Sequence, residues 1–165
     1  LNVTSADANS AIVGDGKSRL FAVANASLHL CNITLSNGNA TYGGAIAASH
    51  SRLTFQGVAF TGNVASSSGG AIFLSRGTYA SFGGETANTT FIGNSAISGG
   101  GGALYVEGES YVTWTGNSIF SDNSCLRDGG GVFLTEHSYS VWAENTTFNN
   151  NAAGGYGGAL YIKDR

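Results

Sequence analysis

The sequence predicts an all-β fold, a parallel β-helix of about six coils of 25–32 residues each. Three observations carry the prediction. The first is a glycine motif that returns five times: Gly43-Gly44-Ala45-Ile46, Gly69-Gly70-Ala71-Ile72, Gly101-Gly102-Ala103-Leu104, Gly130-Gly131-Val132-Phe133 and Gly157-Gly158-Ala159-Leu160. Counted from the second glycine, the steps are 26, 32, 29 and 27 residues. The second is Phe-x-x-Asn ahead of the later copies: Phe60 to Asn63, Phe91 to Asn94, Phe120 to Asn123, Phe148 to Asn151. Self-similarity at this period marks a stacked-repeat architecture. The third is the run of short alternating apolar pieces between the motifs, with no 3.6-residue apolar period of a helix.

The coil from Ala45 shows how each element is expected. Ala45-Ile46-Ala47-Ala48 is a short apolar strand, followed by the polar turn Ser49-His50-Ser51-Arg52. Leu53-Thr54-Phe55 and Val58-Ala59-Phe60 are two more strands, and Thr61 to Ser68 is a polar loop. Three strands per coil, each returning parallel to itself one rung higher, stack equivalent residues about 4.8 Å apart. Ile46, Ile72, Leu104, Phe133 and Leu160 then form one internal column, with Leu20 below. Phe60, Phe91, Phe120 and Phe148 form an aromatic column that continues into Leu35. Asn63, Asn94, Asn123 and Asn151 form an amide ladder in which each side chain bonds the next. In the first coil Asn37 or Asn39 takes the ladder position. The paired glycines allow positive φ and close stacking of corners. Extra residues around Gly83-Gly84-Glu85-Thr86 are expected to bulge as a loop.

Gly-Gly-Ala-[Ile/Leu/Val] in register with Phe-x-x-Asn resembles the paired repeat of the chlamydial polymorphic outer membrane proteins, over about residues 35–160. The resemblance implies a right-handed parallel β-helix exposed outside the cell, in that family an adhesin passenger. Within these 165 residues the chain is expected to depart from the bacterial members, with no translocator barrel among them and a wealth of Asn-x-Ser/Thr.

Composition narrows the function classes. Only 10% of the residues are charged and 42% are apolar, against disorder. The net charge of -3, with scattered Lys and Arg, excludes a nucleic-acid stripe. No apolar run approaches the roughly 18 residues of a membrane span. Without an initiator methionine or signal peptide, the 165-residue chain is expected to be one β-helix domain, residues 1–165, within a mature product or longer chain. Cys31 and Cys125 fit no metal spacing and lie about three rungs apart, too far for a disulfide.

Six sequons are present, at Asn2, Asn25, Asn32, Asn39, Asn88 and Asn145. Asn32, Asn88 and Asn145 each precede Leu35, Phe91 or Phe148 by three residues, an odd offset that points them outward in one column. They are expected to carry N-linked glycans on every second rung; Asn25 and Asn39 fall in turns.

No catalytic residue, metal site or cofactor is expected. Glu107 and Glu136 fall three residues past their stacked apolar positions on adjacent rungs, and two carboxyls about 5 Å apart suit a retaining glycosidase. Neighbouring rungs offer Ser49 and Ser75 there, beside His50 and Arg76, so a solvated turn is the preferred reading. His29, His50 and His137 do not converge by register. An ice-binding face would need regular Thr, and Thr113 and Thr115 are not repeated.

The expected function is an extracellular, non-enzymatic structural unit of a glycosylated fibre, surface appendage or matrix. An adhesin passenger binding a protein or glycan is the alternative, with the segment Gly77–Thr90 as its candidate loop. A polysaccharide-active enzyme is the third. Joining Arg165 to Leu1 gives A-L-Y-I-K-D-R-L-N-V-T, which aligns with A-L-Y-V-E-G-E-S-Y-V-T at Ala103 to Thr113. Ala6-Asp7-Ala8-Asn9 and Gly14-Asp15-Gly16 then stand as weak copies of the two motifs. Copies of the unit are thus expected to meet end to end, Leu1 against Arg165, by stacking or in tandem.

Overall fold

The computed structural model describes residues 1–6, 10–84 and 88–163. They form a parallel β-solenoid of four sheets, here numbered in the order a full coil passes through them, starting from Ser27. Sheet 1 holds Asn2–Thr4, Ser27–Cys31, Arg52–Gln56, Tyr79–Gly83, Tyr111–Trp114 and Tyr139–Trp142. Sheet 2 holds Ala11–Val13, Thr34–Ser36, Ala59–Thr61, Thr89–Ile92, Ser118–Ser121 and Thr146–Asn149. Sheet 3 is narrow: Asn39–Ala40, Val64–Ala65, Ser95–Ala96, Ser124–Cys125 and Ala152–Ala153. Sheet 4 holds Phe21–Ala24, Ile46–Ser49, Ile72–Ser75, Leu104–Val106, Val132–Thr135 and Leu160–Lys163. Sheet 3 corrects the expectation of three strands per coil. Its two-residue strands lie in the stretch expected as a polar loop, and they are too short to show alternation.

Alternation sends every second residue into the interior. Phe60, Phe91 and Phe120 are fully buried and Phe148 is partly buried at the last coil. Their rings stack at centroid distances of 4.7, 4.6 and 4.8 Å. A second inner stack, Phe55, Phe82, Trp114 and Trp142, rises from sheet 1 at 4.7, 4.2 and 4.5 Å. The two stacks meet edge to face, as between Trp114 and Phe120 at 5.4 Å, a geometry that adds to simple area burial. Where the wall above Val112 carries Ser140 instead of an apolar residue, the serine Oγ accepts the Trp114 Nε1–H at 2.8 Å.

Two polar ladders run through this core. Asn63, Asn94 and Asn123 each donate one Nδ2–H to the Oδ1 of the asparagine one coil up, at 3.0, 2.9 and 2.9 Å. The other Nδ2–H of each reaches back to a carbonyl: Leu35, Phe60 and Phe91. Each Oδ1 also takes a backbone N–H from the coil below, Gly38 to Asn63, Asn63 to Asn94, Asn94 to Asn123. Both Nδ2–H groups and the Oδ1 of each of these amides are engaged, which makes a buried amide tolerable. The second ladder is of hydroxyls. The backbone N–H of Ala26, Ser51, Thr78 and Ser110 donates to the Oγ of Ser51, Thr78, Ser110 and Ser138 in turn.

The corner before sheet 4 needs glycine twice, for different reasons. Gly43, Gly69, Gly101, Gly129 and Gly157 have φ of +58 to +70°, where a side chain is strained. The next glycine lacks room: a Cβ on Gly44, Gly70, Gly102 or Gly130 would sit 2.0–2.5 Å from the carbonyl oxygen of its counterpart one coil up.

That corner corrects several expected positions. In the fourth copy the motif is Gly129-Gly130-Gly131-Val132, with Gly131 where the others have alanine, so the steps become 26, 32, 28 and 28. Val132, not Phe133, joins Ile46, Ile72, Leu104 and Leu160 in the inner column, while Phe133 points outward between Tyr105 and Tyr161. Below Ile46 stands Phe21, not Leu20. The corner there is Ser18-Arg19-Leu20-Phe21, and Gly14-Asp15-Gly16 precedes it; Asp7, Ala8 and Asn9 lie outside the described residues. In the first coil the ladder position falls on Gly38, while Asn37 and Asn39 donate to the carbonyls of Gly14 and Gly16. Asn2 pairs with His29 and so stands in the row of Thr113, not of Tyr111. The alignment of the joined ends is therefore displaced by two residues, and Asp164 and Arg165 lie outside the described residues.

Candidate functional site

Two outward rows cover sheet 4. One runs Ala22, Ala47, Phe73, Tyr105, Phe133, Tyr161. The other runs Ala24, Ser49 and Ser75, continues at Glu107, and ends in Thr135 and Lys163. Period-2 alternation places both rows outside while their neighbours fill the core. Phe73 and Tyr105 stack at 5.4 Å, Phe133 turns edge-on to Tyr105 at 5.0 Å, and Tyr161 follows at 5.1 Å. Phe133 leans over Gly100, where a Cβ would meet its ring at 2.5 Å.

The step from alanine to aromatic side chains makes a cleft of about 520 Å³. Ala22 and Ala47 are its floor, Tyr42 and Phe73 its wall, Arg76 and Glu107 its rim. Arg19 fixes the wall, donating through Nε and Nη2 to the Tyr42 carbonyl at 3.1 and 2.8 Å. Tyr42 is 43% exposed and packs its ring on Phe73 at 4.8 Å. A second groove, about 460 Å³, lies against Tyr105 and Phe133 with Arg127, Asp128, Glu136 and Lys163 around it. Burial raises the Glu107 carboxyl above its usual range; the Glu136 charge adds to this and Arg76 opposes it. The partly exposed rings of Tyr42, Phe73 and Tyr105, flanked by both charge signs and by hydroxyls, suit a ligand with one apolar face and several polar groups.

The expected Glu107–Glu136 pair is not formed in register. Thr135 stands in the Glu107 row, and Glu136 shares the next row with Gly108, Arg76 and His50. The cause is the displaced glycine motif described above. Among the described residues no cluster of three His, Cys, Asp or Glu is placed to hold a metal ion. Cys31 and Cys125 are both free thiols. Cys31 is at the outer end of a sheet 1 strand, whereas Cys125 points inward and burial pushes its thiol up to about 11.

The sequon asparagines divide by position. Asn32, Asn88 and Asn145 occupy one corner between sheets 1 and 2, with Gly57 and Asn117 on the intervening coils. Asn88 and Asn145 are exposed; Asn32 is half-buried, its Nδ2 3.5 Å from the Ser5 carbonyl. Asn2 is exposed on its edge strand, and Asn25 is exposed in a turn at φ +50°. Asn39 is in a sheet 3 strand, not a turn, and its amide is engaged by Gly16. Of the candidate loop Gly77–Thr90, Tyr79–Gly83 and the residues from Thr89 are strands, and Glu85, Thr86 and Ala87 lie outside the described residues.

Sequence reasoning missed the aromatic row of sheet 4 and the hydroxyl ladder. A signal for the second exists: Ser51, Thr78, Ser110 and Ser138 each stand two residues before an inward position, followed by Arg or Tyr.

The Chlamydia polymorphic membrane protein repeat matches at residues 57–75, 88–107 and 145–163. Each match starts at the sequon corner and runs through sheets 2 and 3 and the glycine corner into sheet 4. The coil between the second and third matches has the same marks, Phe120, Asn123 and Gly129-Gly130, with Gly131 for alanine. No curated protein and no solved structure matches the chain. With the Phe, Asn and glycine positions of all three matched stretches occupying equivalent places in the coil, the chain carries the repeat of the Chlamydia polymorphic membrane proteins, folded as a β-solenoid.

Proposed function

We propose that the chain is a rod segment of an extracellular, glycosylated surface structure, non-enzymatic and built to be extended coil upon coil. The observation that carries this reading is the continuity of the ladders. Amides, hydroxyls and two ring stacks pass through the coils with the same partners at each step. Val3, Ile12 and Phe21 at one end and Trp142, Phe148 and Leu160 at the other pack on the core yet are only partly buried. Both end coils thus accept a further coil of the same kind, from the same chain or from a copy. The repeat is that of a membrane-protein family, and Asn88 and Asn145 project from one corner, open to modification. The test is secretion of the chain from a eukaryotic host, followed by glycopeptide mass spectrometry and negative-stain imaging. Sugar on Asn88 and Asn145 with rod-like end-to-end particles is expected. Unmodified asparagines at Asn32, Asn88 and Asn145 together with compact monomers would overturn the reading.

The sheet 4 cleft favours a second reading, an adhesin that binds a glycan or protein along this face. Tyr42→Ala removes half of the cleft wall without touching the core. Glycan and protein arrays on the parent chain and this variant decide it: binding lost with Tyr42 supports an adhesin, and no binding by the parent refutes it.

A further inference from the structure

On the outer face of sheet 1, Tyr79, Tyr111 and Tyr139 stand in one row on three successive coils. Their ring centroids are 5.3 and 4.4 Å apart, and the Tyr111 and Tyr139 planes differ by 28°. Stacking alone does not call for phenols. The two inner columns stack with Phe and Trp, and the outer row of sheet 4 alternates Phe73, Tyr105, Phe133 and Tyr161. What the hydroxyl adds on sheet 1 is an oxidisable group, placed against its like on adjacent coils. Solvent reaches it: Tyr139 is 56% exposed and Tyr111 is half-buried.

We propose that Tyr111 and Tyr139 form an oxidative cross-linking site, coupled to dityrosine by a peroxidase with hydrogen peroxide. Each phenol gives up one electron and its hydroxyl proton, leaving unpaired spin on the ring carbons ortho to oxygen. A Cε of Tyr111 bonds a Cε of Tyr139, and the hydrogen on each joined carbon is passed through water to the oxygen, restoring two phenols. Overall two tyrosines and one hydrogen peroxide give one dityrosine and two waters.

The neighbours select this pair over Tyr79 and Tyr111. The Arg52 guanidinium lies 4.6 Å over the Tyr79 ring, and a cation on the ring face opposes removal of an electron from it. Tyr79 Oη is also held by Thr113 Oγ1 at 3.0 Å, and its ring is tilted 53° from Tyr111. The bond would join two neighbouring coils of sheet 1. Closing that loop restricts the unfolded chain, as a disulfide does.

The experiment treats the purified chain, at a dilution that disfavours intermolecular encounter, with peroxidase and hydrogen peroxide. Dityrosine fluorescence, intact mass and cross-linked peptides are read, with the urea midpoint before and after. A monomer lighter by two hydrogens is expected, with Tyr111 linked to Tyr139 and a raised midpoint. Tyr139→Phe keeps the ring and the stack, which an unchanged midpoint without oxidant verifies, and lowers the fluorescence to background. Arg52→Gln is expected to raise the share of Tyr79–Tyr111 product. Tyr156 and Tyr161, stacked at 5.7 Å within one coil, are the internal control. Coupling only at that control pair, only between molecules, or undiminished in Tyr139→Phe overturns the proposal.

Discussion

Replacing Asn123 by alanine tests whether the amide ladder holds the coils together. The side chain is fully buried and makes four bonds. Its Nδ2 donates to the Phe91 carbonyl and to Asn151 Oδ1, both at 2.9 Å, and its Oδ1 accepts from the backbone N–H and Nδ2 of Asn94 at 3.0 and 2.9 Å. The substitution strands all four partners. A buried polar group that loses its partner costs about 1–3 kcal/mol. The partners on the Asn94 side and the Phe91 carbonyl are in the interior, while Asn151 is half-exposed and water can replace its bond. Three stranded groups, partly relieved by water entering the vacated space, give an expected loss of about 3–5 kcal/mol. Asn151→Ala is the comparison. It removes two bonds from Asn123 and one to the Phe120 carbonyl, but beside the half-exposed Asn151 water can enter and replace them, so a smaller loss of about 1–3 kcal/mol is expected. Urea unfolding followed by the fluorescence of buried Trp114 measures both, provided the slope against urea is unchanged. A loss under about 1 kcal/mol for Asn123→Ala, or no more than for Asn151→Ala, would refute the view that the ladder carries net stability.

Phe120→Ala removes a fully buried ring stacked on two others, and urea midpoints should show a loss of about 3–5 kcal/mol. Thr89 has a buried Oγ1 with no partner, in the position that Val58 fills one coil below. Thr89→Val is therefore expected to raise stability by about 1 kcal/mol in the same assay, and a fall would show that the hydroxyl is satisfied. It leaves the Asn88 sequon intact, since Thr90 completes that sequon. Cys125 supplies a pH dependence. Its thiol is pushed from 9.0 to about 11 by burial, so the folded state keeps the proton that the unfolded state releases. Stability should fall as pH rises from 9 toward 11, and Cys125→Ala should flatten that part of the profile; an identical slope in the variant would remove the assignment.

The coil and its two best columns were legible because a ladder demands the same side chain at every rung. An asparagine that bonds the asparagine above it cannot be exchanged on one coil alone, so Asn63, Asn94, Asn123 and Asn151 stand out in the sequence. Sheet 3 was not legible, since two residues per strand carry no period. The aromatic row of sheet 4 starts as alanine at Ala22 and Ala47, which hides it from a search for repeats. Glu107 and Glu136 look paired only when the fourth glycine motif is set one residue late, at Gly130-Gly131.

That slip shows which residues should anchor register. Glycine is permitted by a corner, and where three follow one another at Gly129, Gly130 and Gly131 any two can be taken as the pair. The ladder asparagine is different, because its position is fixed by a partner on another coil. Counted from it, the positive-φ glycine comes six residues later at Asn63 to Gly69, at Asn123 to Gly129 and at Asn151 to Gly157, and seven later at Asn94 to Gly101. Anchored in this way, Val132 falls in the core and Phe133 on the outer face, and the Glu107 row passes to Thr135. In a solenoid, register is best taken from the side chains that must touch their own kind one coil away, because a one-residue error there breaks a bond, whereas an error among glycines breaks nothing visible in the sequence.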